Sequence, residues 1–544
     1  MTALHITARS LVLSLGDWAG DGPAYRALAD RIRLLVLDGR ILVGSRLPAE
    51  RELSTRLELS RSTVAAAYRE LREAGFLTSV RGSGSVTRIP GGRVGDRATG
   101  ASSSGIPLSG TSPTGPPSSG LPLAVIPTGV GTAALAAVSG SARRPGTPRS
   151  SGHLTAVPAW SGAAETRLPP LNFSQAALPA SAGVAEAMQQ AASDIVPLLG
   201  TLGFEPHGLL ELREAIADRY TERGLATDPD QIMVTAGALS ALSLITRALV
   251  SRGDRVIVET PTYPHAADTL LSAGARLLPV TVTVGEGWNE EAFLDALAQS
   301  APTLAYVMPD FHNPTGESMT PSFRRRLVAA AAASATVLVA DETTAELDID
   351  RPAADGGDPY MPLATYGDAI LLGSASKTFW GGLRIGWLRA ERPMVRRLLA
   401  ARASVDIGTA VFEQLVTATL VRRTSELLPA RIRQLADGRE HLYASLSRSL
   451  PEWSLPPVAG GLCAWVNIGR PLSSQLVLAA RAHDVLFTAG PRFGIDGAFE
   501  RFLRLPINYS AAETERAVDA LQRSWQELQG RSTDARLPEF ADMV

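Results

Sequence analysis

The sequence predicts two domains of different fold class, a small α+β domain followed by a large α/β domain. Length is the first reason, because 544 residues exceed the usual size of one domain. Periodicity is the second, since helical patterns and a short hairpin occupy residues 23–90, whereas strands and helices alternate from residue 170 onward. Composition is the third, because the stretch between them is rich in Gly, Ser, Pro and Ala and has no acidic residue between Asp96 and Glu165.

Overall composition excludes several classes of protein. Hydrophobic residues make up 45% of the chain and charged residues 19%, which is typical of a globular protein, and the formal net charge of −2 indicates no anionic partner for the chain as a whole. A single cysteine, Cys463, excludes an intramolecular disulfide and a Cys-rich metal site, so we expect a buried inert thiol and no metal. No run of about 18 apolar residues or signal peptide is found, so a membrane span is not expected and the cytoplasm is the predicted location.

The predicted N-terminal domain covers residues 22–90. A helix is expected after Pro23, a second helix after Pro48, and a third with Ser60 as its N-cap. Two short strands, Leu77–Val80 and Ser85–Ile89, are expected to form a hairpin after the third helix. This order of elements is that of a winged helix-turn-helix.

Charge supports a nucleic-acid role for this domain. Between residues 23 and 90 there are 12 Arg and 7 Asp plus Glu, a net charge of +5. The third helix begins with small hydroxyl residues and Arg61, which suit phosphate contacts and base edges in a major groove. The alternative is a small helical domain whose Arg residues are only solvated.

Three motifs in this domain resemble the GntR family of DNA-binding domains: Leu47–Leu53, Leu59–Val64 and Leu71–Leu77. The resemblance covers nearly the whole segment and implies binding to a double-stranded DNA operator. The residues that fall where the family contacts DNA are Arg51, Ser60, Arg61, Ser62, Thr63, Arg81 and Gly82.

Residues 91–169 are predicted to be a flexible linker. Their composition lacks sustained periodicity and the aromatic residues needed for a core. The large domain is then expected at residues 170–530, with a mostly parallel sheet and ligands at the carboxyl ends of its strands. Its expected strands are Gln231–Thr235, Arg255–Glu259, Leu304–Met308, Val337–Ala340 and Ala369–Gly373.

Small and polar residues follow these strands and suggest a phosphate site. After the first strand, the turn at Gly237, Ala238 and Leu239 opens a helix, whose free N–H groups bind anions. After the last strand, two hydroxyls and a fixed cation suit the same phosphate. These residues are Ser374, Ser376 and Arg384.

Lys377 is the only lysine among the 52 Lys and Arg residues. Arg cannot replace Lys where an amine must lose its proton and attack a carbonyl, so Lys377 is a candidate Schiff-base lysine for pyridoxal phosphate. The alternative is an Arg-biased genome that left one lysine by chance. Three further strand ends favour the cofactor: Tyr263 could stack on a planar ring, Asn313 lies on a rigid turn, and Asp341 could pair with a protonated pyridine nitrogen.

This order of features resembles the fold-type I aminotransferases over about residues 170 to 525. The resemblance implies that Lys377 attaches pyridoxal 5′-phosphate, that Asp341 pairs with its pyridine nitrogen, and that Asn313 bonds its phenolic oxygen. Tyr263 would stack on the ring, and the residues named above would hold the phosphate. Arg504 falls where the family binds a substrate carboxylate, and the family implies a homodimer.

The sequence also departs from the aminotransferase pattern. Thr343 and Thr344 stand where the family has a Tyr after the pyridine-pairing Asp, and Phe204 lies near where a Tyr commonly reaches the phosphate across a dimer. These departures predict that cofactor binding is retained more readily than turnover.

The two domains together resemble the MocR subfamily of GntR-family transcriptional regulators. The resemblance implies a regulator that senses an amine, an amino acid or the B6 vitamer itself through Lys377. Two alternatives remain open from the sequence. One is an active aminotransferase with an accessory DNA-binding domain, and the other is a regulator that no longer binds the cofactor.

Overall fold

The computed structural model describes residues 6–15, 18, 23–37, 41, 43–80, 84–88, 170–354, 357–495 and 497–533. The predicted linker, residues 91–169, lies outside the described residues. The domain boundaries drawn from the sequence therefore stay predictions. No helix in the described ranges is long and apolar enough to cross a membrane.

The N-terminal domain consists of four helices and a two-stranded hairpin. These elements are α1 (Ala8–Leu15), α2 (Ala24–Leu37), α3 (Glu50–Leu57), α4 (Arg61–Glu73), β1 (Leu77–Val80) and β2 (Gly84–Thr87). The hairpin is antiparallel, with Leu77 opposite Thr87. The winged helix-turn-helix prediction is confirmed.

Buried side chains on α2 and α4 form the core of this domain. Leu28, Ile32 and Leu71 are fully buried, and the Tyr68 hydroxyl donates to the Pro48 carbonyl at 2.9 Å. Ser60 caps α4, because its Oγ accepts a hydrogen bond from the Thr63 N–H at 3.1 Å. Helix α1, which the sequence analysis did not anticipate, adds two leucines to the same core.

The large domain alternates strands and helices as predicted. Its strands are β3 (Leu171–Asn172), β4 (Ile232–Thr235), β5 (Arg255–Thr260), β6 (Arg276–Thr283), β7 (Gly287–Trp288), β8 (Leu304–Val307), β9 (Val337–Asp341), β10 (Ile370–Ser374), β11 (Gly386–Arg389), β12 (Cys463–Asn467), β13 (Val485–Leu486), β14 (Thr488–Ala489) and β15 (Phe502–Pro506). Its helices are α5 (Val184–Asp194), α6 (Leu210–Glu222), α7 (Ala238–Leu249), α8 (Pro264–Ser272), α9 (Glu290–Ser300), α10 (Pro321–Ala333), α11 (Ala375–Thr378), α12 (Arg392–Arg402), α13 (Val411–Arg422), α14 (Thr424–Ser449), α15 (Ser473–Ala480) and α16 (Ala511–Thr533).

Eight strands form the central sheet in the order β4-β11-β10-β9-β8-β5-β6-β7. Neighbours from β10 to β6 are parallel, whereas β11 is antiparallel to both β10 and β4. Strand β4 therefore runs in the same direction as β10. All five strands predicted from the sequence end at one edge of this sheet, and the α/β prediction is confirmed.

A second core lies in the part of the chain that we call the C-terminal subdomain, formed by α14, α15, α16 and the antiparallel sheet β12-β15-β14. Trp453 and Trp525 meet edge to face in this core, with ring centroids 5.5 Å apart. Strand β15 pairs with β12 and β14, so that Arg504 is opposite Trp465 on one side and Thr488 on the other. The subdomain thus supplies one wall of the site described next.

Candidate functional site

A cavity of about 680 Å³ lies at the carboxyl ends of the parallel strands. It brings together every residue that the sequence analysis assigned to the cofactor and to the carboxylate. These are Gly237, Ala238, Leu239, Tyr263, Asn313, Asp341, Ser374, Ser376, Lys377, Arg384 and Arg504. Their individual roles stay predictions. All of those roles require the residues to surround one ligand, and the shared cavity meets this requirement.

Lys377 reaches this cavity from the short helix α11, directly after β10. Its Nζ donates to the Ala176 carbonyl at 2.7 Å. Burial lowers the pKa of the Lys377 amine, and the nearby Arg504 guanidinium lowers it further, although Asp341 acts in the opposite direction. An amine with a lowered pKa holds a larger neutral fraction near neutral pH, which is the form that attacks an aldehyde.

Asp341 ends β9 at the opposite wall and is held by two hydrogen bonds. The Tyr306 hydroxyl donates to its Oδ2 at 2.7 Å, and the Thr343 N–H donates to its Oδ1 at 3.1 Å. Burial and the adjacent Asp341 carboxylate raise the pKa of Tyr306 well above its usual value, so the hydroxyl remains a donor. Sequence analysis missed Tyr306, because a tyrosine inside an apolar strand is read as a core residue.

The turn before α7 and the residues around Arg384 form a cradle for an anion. Gly237 has a φ of +108°, and a Cβ there would lie 3.0 Å from Nη2 of Arg384, so this turn requires glycine. Arg384 donates to the Ala236 carbonyl at 3.0 Å, which keeps the guanidinium beside the first turn of α7. Ser374 and Ser376 share a hydrogen bond of 2.7 Å between their hydroxyls at the same place.

A buried carboxylate, Glu259, ties together the two loops that carry Tyr263 and Asn313. Its oxygens accept hydrogen bonds from the indole N–H of Trp288 at 2.7 Å and from the Met308 N–H at 3.0 Å. Nε2 of His312, the residue before Asn313, lies 3.2 Å from the same carboxylate. This network was not predicted, since its members are far apart in sequence and none carries a local signal.

Arg504 is a buried cation in the wall of the cavity. Only 7% of its surface is exposed, and its Nε has no hydrogen-bond partner in the described part of the chain. Its Nη2 donates to the Ser174 carbonyl, and its guanidinium carbon lies 5.0 Å from the centroid of the Phe493 ring. Burial lowers the pKa of Arg504, and within the described ranges no carboxylate forms an ion pair with it. A buried cation of this kind favours an anionic ligand.

The predicted DNA-binding residues lie apart from this cavity, in the N-terminal domain. Arg51 on α3 and Ser60, Arg61 and Ser62 at the start of α4 are exposed, and Thr63 is half-buried. Arg81 and Gly82 at the tip of the hairpin lie outside the described residues. Basic and hydroxyl side chains at an exposed helix N-terminus are those that contact phosphates and base edges.

The cavity fits pyridoxal 5′-phosphate on the chemistry of its residues. A planar aldehyde needs an amine, an anion cradle and a carboxylate for its ring nitrogen, and Lys377, Arg384 and Asp341 supply these groups. Gly386 belongs to the same arrangement, because a Cβ there would lie 2.5 Å from the Ala238 N–H nitrogen at the start of α7. Strand β11 therefore requires glycine at this position, because any side chain would collide with the backbone at the start of α7.

Similarity to known proteins agrees with this geometry. The family model "Aminotransferase class I and II" matches residues 171–521. The chain belongs to this family. The model "Bacterial regulatory proteins, gntR family" matches residues 24–86, so a GntR domain precedes the class I and II aminotransferase domain, which is the architecture of the MocR subfamily. Pyridoxal 5′-phosphate is the cofactor of the fold.

Two curated relatives are named as HTH-type transcriptional regulators. The uncharacterized HTH-type transcriptional regulator YisV of Bacillus subtilis is 25% identical over 92% of this chain and 96% of its own length. The uncharacterized HTH-type transcriptional regulator YdcR of Escherichia coli is 31% identical over 59% of this chain and 69% of its own length. These similarities support a transcriptional regulator with an aminotransferase-like domain.

A solved aminotransferase shares the large domain. LysN, an α-aminoadipate aminotransferase of Thermus thermophilus complexed with N-(5′-phosphopyridoxyl)-L-leucine, is 25% identical with a TM-score of 0.60. The similarity covers 66% of this chain and 93% of that chain. The large domain of the present chain therefore has the fold of a pyridoxal-phosphate enzyme.

We predict that Tyr306→Phe weakens cofactor binding. Loss of the hydroxyl removes one of the two hydrogen bonds that hold the Asp341 carboxyl group in place, and hence weakens its pairing with the ring nitrogen. A hydrogen bond to a charged group contributes about 1.5 to 3 kcal/mol, so the dissociation constant of pyridoxal 5′-phosphate should rise by roughly tenfold or more. Tyr366→Phe is the control, because Tyr366 lies outside the cavity. Equal affinities for wild type and Tyr306→Phe would contradict this role.

A second prediction concerns the reactivity of the single lysine. Arg504→Gln removes a cation that disfavours protonated Lys377, so the pKa of the amine should rise and its reaction with an aldehyde should need a higher pH. Reductive methylation of the apoprotein as a function of pH, read by mass spectrometry at Lys377, measures the midpoint. Arg492→Gln is the matched control, since Arg492 pairs with Asp268 and does not perturb Lys377. A midpoint that stays unchanged in Arg504→Gln would refute the coupling.

Proposed function

We propose that this protein is a DNA-binding transcriptional regulator whose aminotransferase-like domain senses an amine or amino acid through cofactor held at Lys377. The observation that carries the proposal is the meeting of Lys377 and the buried Arg504, whose Nε has no hydrogen-bond partner in the described part of the chain, in one cavity. Lys377 supplies an amine that can exchange covalently, and Arg504 supplies a charge that selects a carboxylate. When bound, pyridoxal 5′-phosphate supplies an aldehyde that links reversibly to primary amines.

Each residue of the site has a defined part in this proposal. Asp341, supported by Tyr306, would pair with the ring nitrogen of the cofactor, and Tyr263 would stack on the ring. Arg384 and the first turn of α7 bind the phosphate through charge and free N–H groups. Ligand binding changes DNA affinity only if the ligand binds the DNA-competent and DNA-incompetent states unequally.

We also propose that the protein functions as a homodimer. Large apolar side chains are exposed in the segment 196–204, where Leu202 is 88% exposed and Phe204 is 59% exposed. Val405 and Ile407 are exposed as well, and Leu239 is exposed in the phosphate turn itself. Exposed apolar patches of this kind mark protein–protein contacts. A second copy of the chain would cover these exposed side chains, including Leu239 in the phosphate turn.

An active aminotransferase is the second candidate function. The Tyr306–Asp341 hydrogen bond favours it, because it is the support that a catalytic ring nitrogen needs. The full chain, saturated with pyridoxal 5′-phosphate and given an amino acid and a keto acid, distinguishes the two. Many turnovers per cofactor would favour the enzyme, whereas one equivalent or less would favour the sensor, as the threonines after Asp341 predict.

We expect Lys377→Arg to keep DNA binding and to lose the response to ligand. Arginine retains the positive charge but cannot form the covalent link. DNA selected from a random pool by the wild-type protein is titrated with and without cofactor plus L-2-aminoadipate or L-leucine. Affinity for DNA without ligand should stay within about twofold of wild type, because Lys377 is on α11 of the large domain and not on α4. The ligand should no longer change this affinity, whereas in the wild type it should change it by about fivefold or more.

The matched control for this substitution moves the lysine elsewhere. In the double variant Lys377→Arg/Arg276→Lys the chain again has one lysine, but at an exposed position on β6. This variant should also lose both the visible absorption of bound cofactor and the response on DNA. If ligand still changed the DNA affinity of either variant as much as it does in the wild type, the proposal would be wrong.

The dimer has its own test. Leu202→Asp puts a charge into the exposed apolar segment and should shift the mass measured by light scattering from two chains toward one. Asp194→Asn, just outside the segment, is the control. A wild-type protein that has the mass of a single chain at micromolar concentration would contradict the dimer.

A further inference from the structure

We propose that the C-terminal subdomain carries a docking surface for the DNA-binding domain, formed by α15 and Glu500, and that carboxylate binding at Arg504 alters this docking. The inference rests on the proposed function, in which Arg504 binds the carboxylate of the effector. It adds the physical connection between the effector site and the helix-turn-helix.

Arg31 on α2 is the charged contact of this docking surface. It is only 4% exposed, although arginine is rarely buried without partners. Its Nη1 lies 3.5 Å from Oε1 of Glu500 and 3.5 Å from the Ser474 hydroxyl, both in the C-terminal subdomain. Its Nε donates to the Leu15 carbonyl at 2.8 Å, within its own domain. Arg31 therefore bonds both domains with one side chain.

Leu34 supplies the apolar contact, one turn further along α2. It is 2% exposed and belongs to the buried cluster of the C-terminal subdomain rather than to the core of the N-terminal domain. Leu476 and Val477 of α15 are members of the same cluster. A charged pair alone would be weak evidence for a stable contact, but a buried leucine beside it indicates a desolvated interface.

Glu500 is also tied to the first turn of α15. Its Oε1 accepts from the Ser474 hydroxyl at 2.5 Å, and its Oε2 accepts from the Ser474 N–H at 3.0 Å. The Ser473 N–H donates to the Glu500 carbonyl at 2.9 Å. Any displacement of Glu500 therefore moves both its bond to Arg31 and the start of the helix against which Leu34 packs.

A packed aromatic cluster connects Glu500 with Arg504. The Arg504 guanidinium lies over Phe493, which meets Trp465 edge to face at 5.3 Å. Trp465 stacks on Phe502 at 5.2 Å, with ring planes only 6° apart. Phe502 is two residues after Glu500 at the start of β15. Arg504 thus lies on β15, Glu500 lies in the turn just before that strand, and the same packed aromatic cluster adjoins both.

The backbone directly before Glu500 is held in an unfavourable conformation. Phe499 has a φ of +77°, a left-handed value that is uncommon for a bulky residue. Such a conformation persists only where surrounding contacts impose it, and here Phe499 packs against Trp465 and Phe502. A change of packing around Arg504 could therefore relax the backbone at Phe499 and move Glu500.

Docking through α2 leaves the DNA-contacting residues accessible. Arg61 and Ser62 at the start of α4 remain exposed in the docked arrangement. The docked state therefore fixes where the recognition helix stands without covering it. In a dimer, this would set the separation of two recognition helices and hence the fit to two half-sites.

Hydrogen exchange of the full chain without ligand tests the docking itself. In Glu500→Gln, amides of residues 24–37 should exchange at least about fivefold faster than in wild type, because Arg31 loses its charged partner across the interface. Arg31→Gln should have the same effect, and the double variant should add little to either single change. Unchanged exchange at residues 24–37 in Glu500→Gln would overturn the docking surface.

Two controls separate docking from local damage. Arg26→Gln removes an exposed cation from the same helix and should leave exchange at residues 24–37 unchanged. Peptides from residues 473–480 report loss of the cap that Glu500 provides to α15, which Arg31→Gln should not cause. A loss of protection confined to residues 473–480 would mean that Glu500 only caps its own helix.

A pair of ligands then tests the link to Arg504. Pyridoxamine 5′-phosphate has no carboxylate, whereas N-(5′-phosphopyridoxyl)-L-leucine presents one to Arg504. DNA affinity of the wild type should differ by about fivefold or more between the two complexes, and this ratio should fall to within about twofold in Arg31→Gln and Glu500→Gln. Arg26→Gln should keep the wild-type ratio.

The outcomes distinguish this inference from the proposed function. If calorimetry detects binding of neither ligand, the proposed function fails, while hydrogen exchange still decides the docking. If both ligands bind and the ratio stays at the wild-type value in Arg31→Gln, the proposed function stands and the coupling through Arg31 is wrong.

Discussion

Repulsion between the Lys377 amine and the Arg504 guanidinium is the constraint on which the site depends. Both groups line one cavity, where burial and the Arg504 guanidinium together lower the pKa of the amine. Part of the conflict is relieved by the lowered pKa of the amine, and Asp341 across the cavity acts in the opposite direction to Arg504. The remainder favours a ligand that brings negative charge. A phosphate at Arg384 and a carboxylate at Arg504 would each supply it, which explains why one cavity suits both the cofactor and an amino acid.

The sheet topology is what makes this concentration of charge possible, and the sequence predicted five of its eight strands and their parallel direction but not the strand order. Strands such as β5 and β9 are short apolar runs followed by polar residues, a local signal that was read correctly. Tyr306 could not be found in this way, since its hydroxyl reaches Asp341 from inside a neighbouring strand. The Glu259–His312 contact escaped for the same reason, because strand order rather than sequence distance brings it together.

The N-terminal domain shows the same division between local and distant signals. Ser60 was predicted as a cap from the residues beside it, and the structure confirms its hydrogen bond to Thr63. The contact of Arg31 with Glu500 joins positions 469 residues apart, and nothing near Arg31 distinguishes it from the other arginines of α2. A contact between residues so far apart in sequence depends on how the two domains pack against each other. Periodicity and capping rules describe only neighbouring residues and cannot predict it.

A sensor and an enzyme make different demands on the same cavity. Turnover requires proton transfer after the amine has bound, and Thr343 and Thr344 provide no phenol at the place where the aminotransferase family has one. Binding requires only the lysine, the anion cradle and the carboxylate partner, and Tyr306 strengthens that partner without supplying a proton to the substrate. Slow turnover would benefit a regulator, because a ligand that is not consumed can hold one conformation for as long as its concentration lasts. The missing phenol therefore favours the sensor, whereas the Tyr306–Asp341 hydrogen bond is a feature that an enzyme would also use.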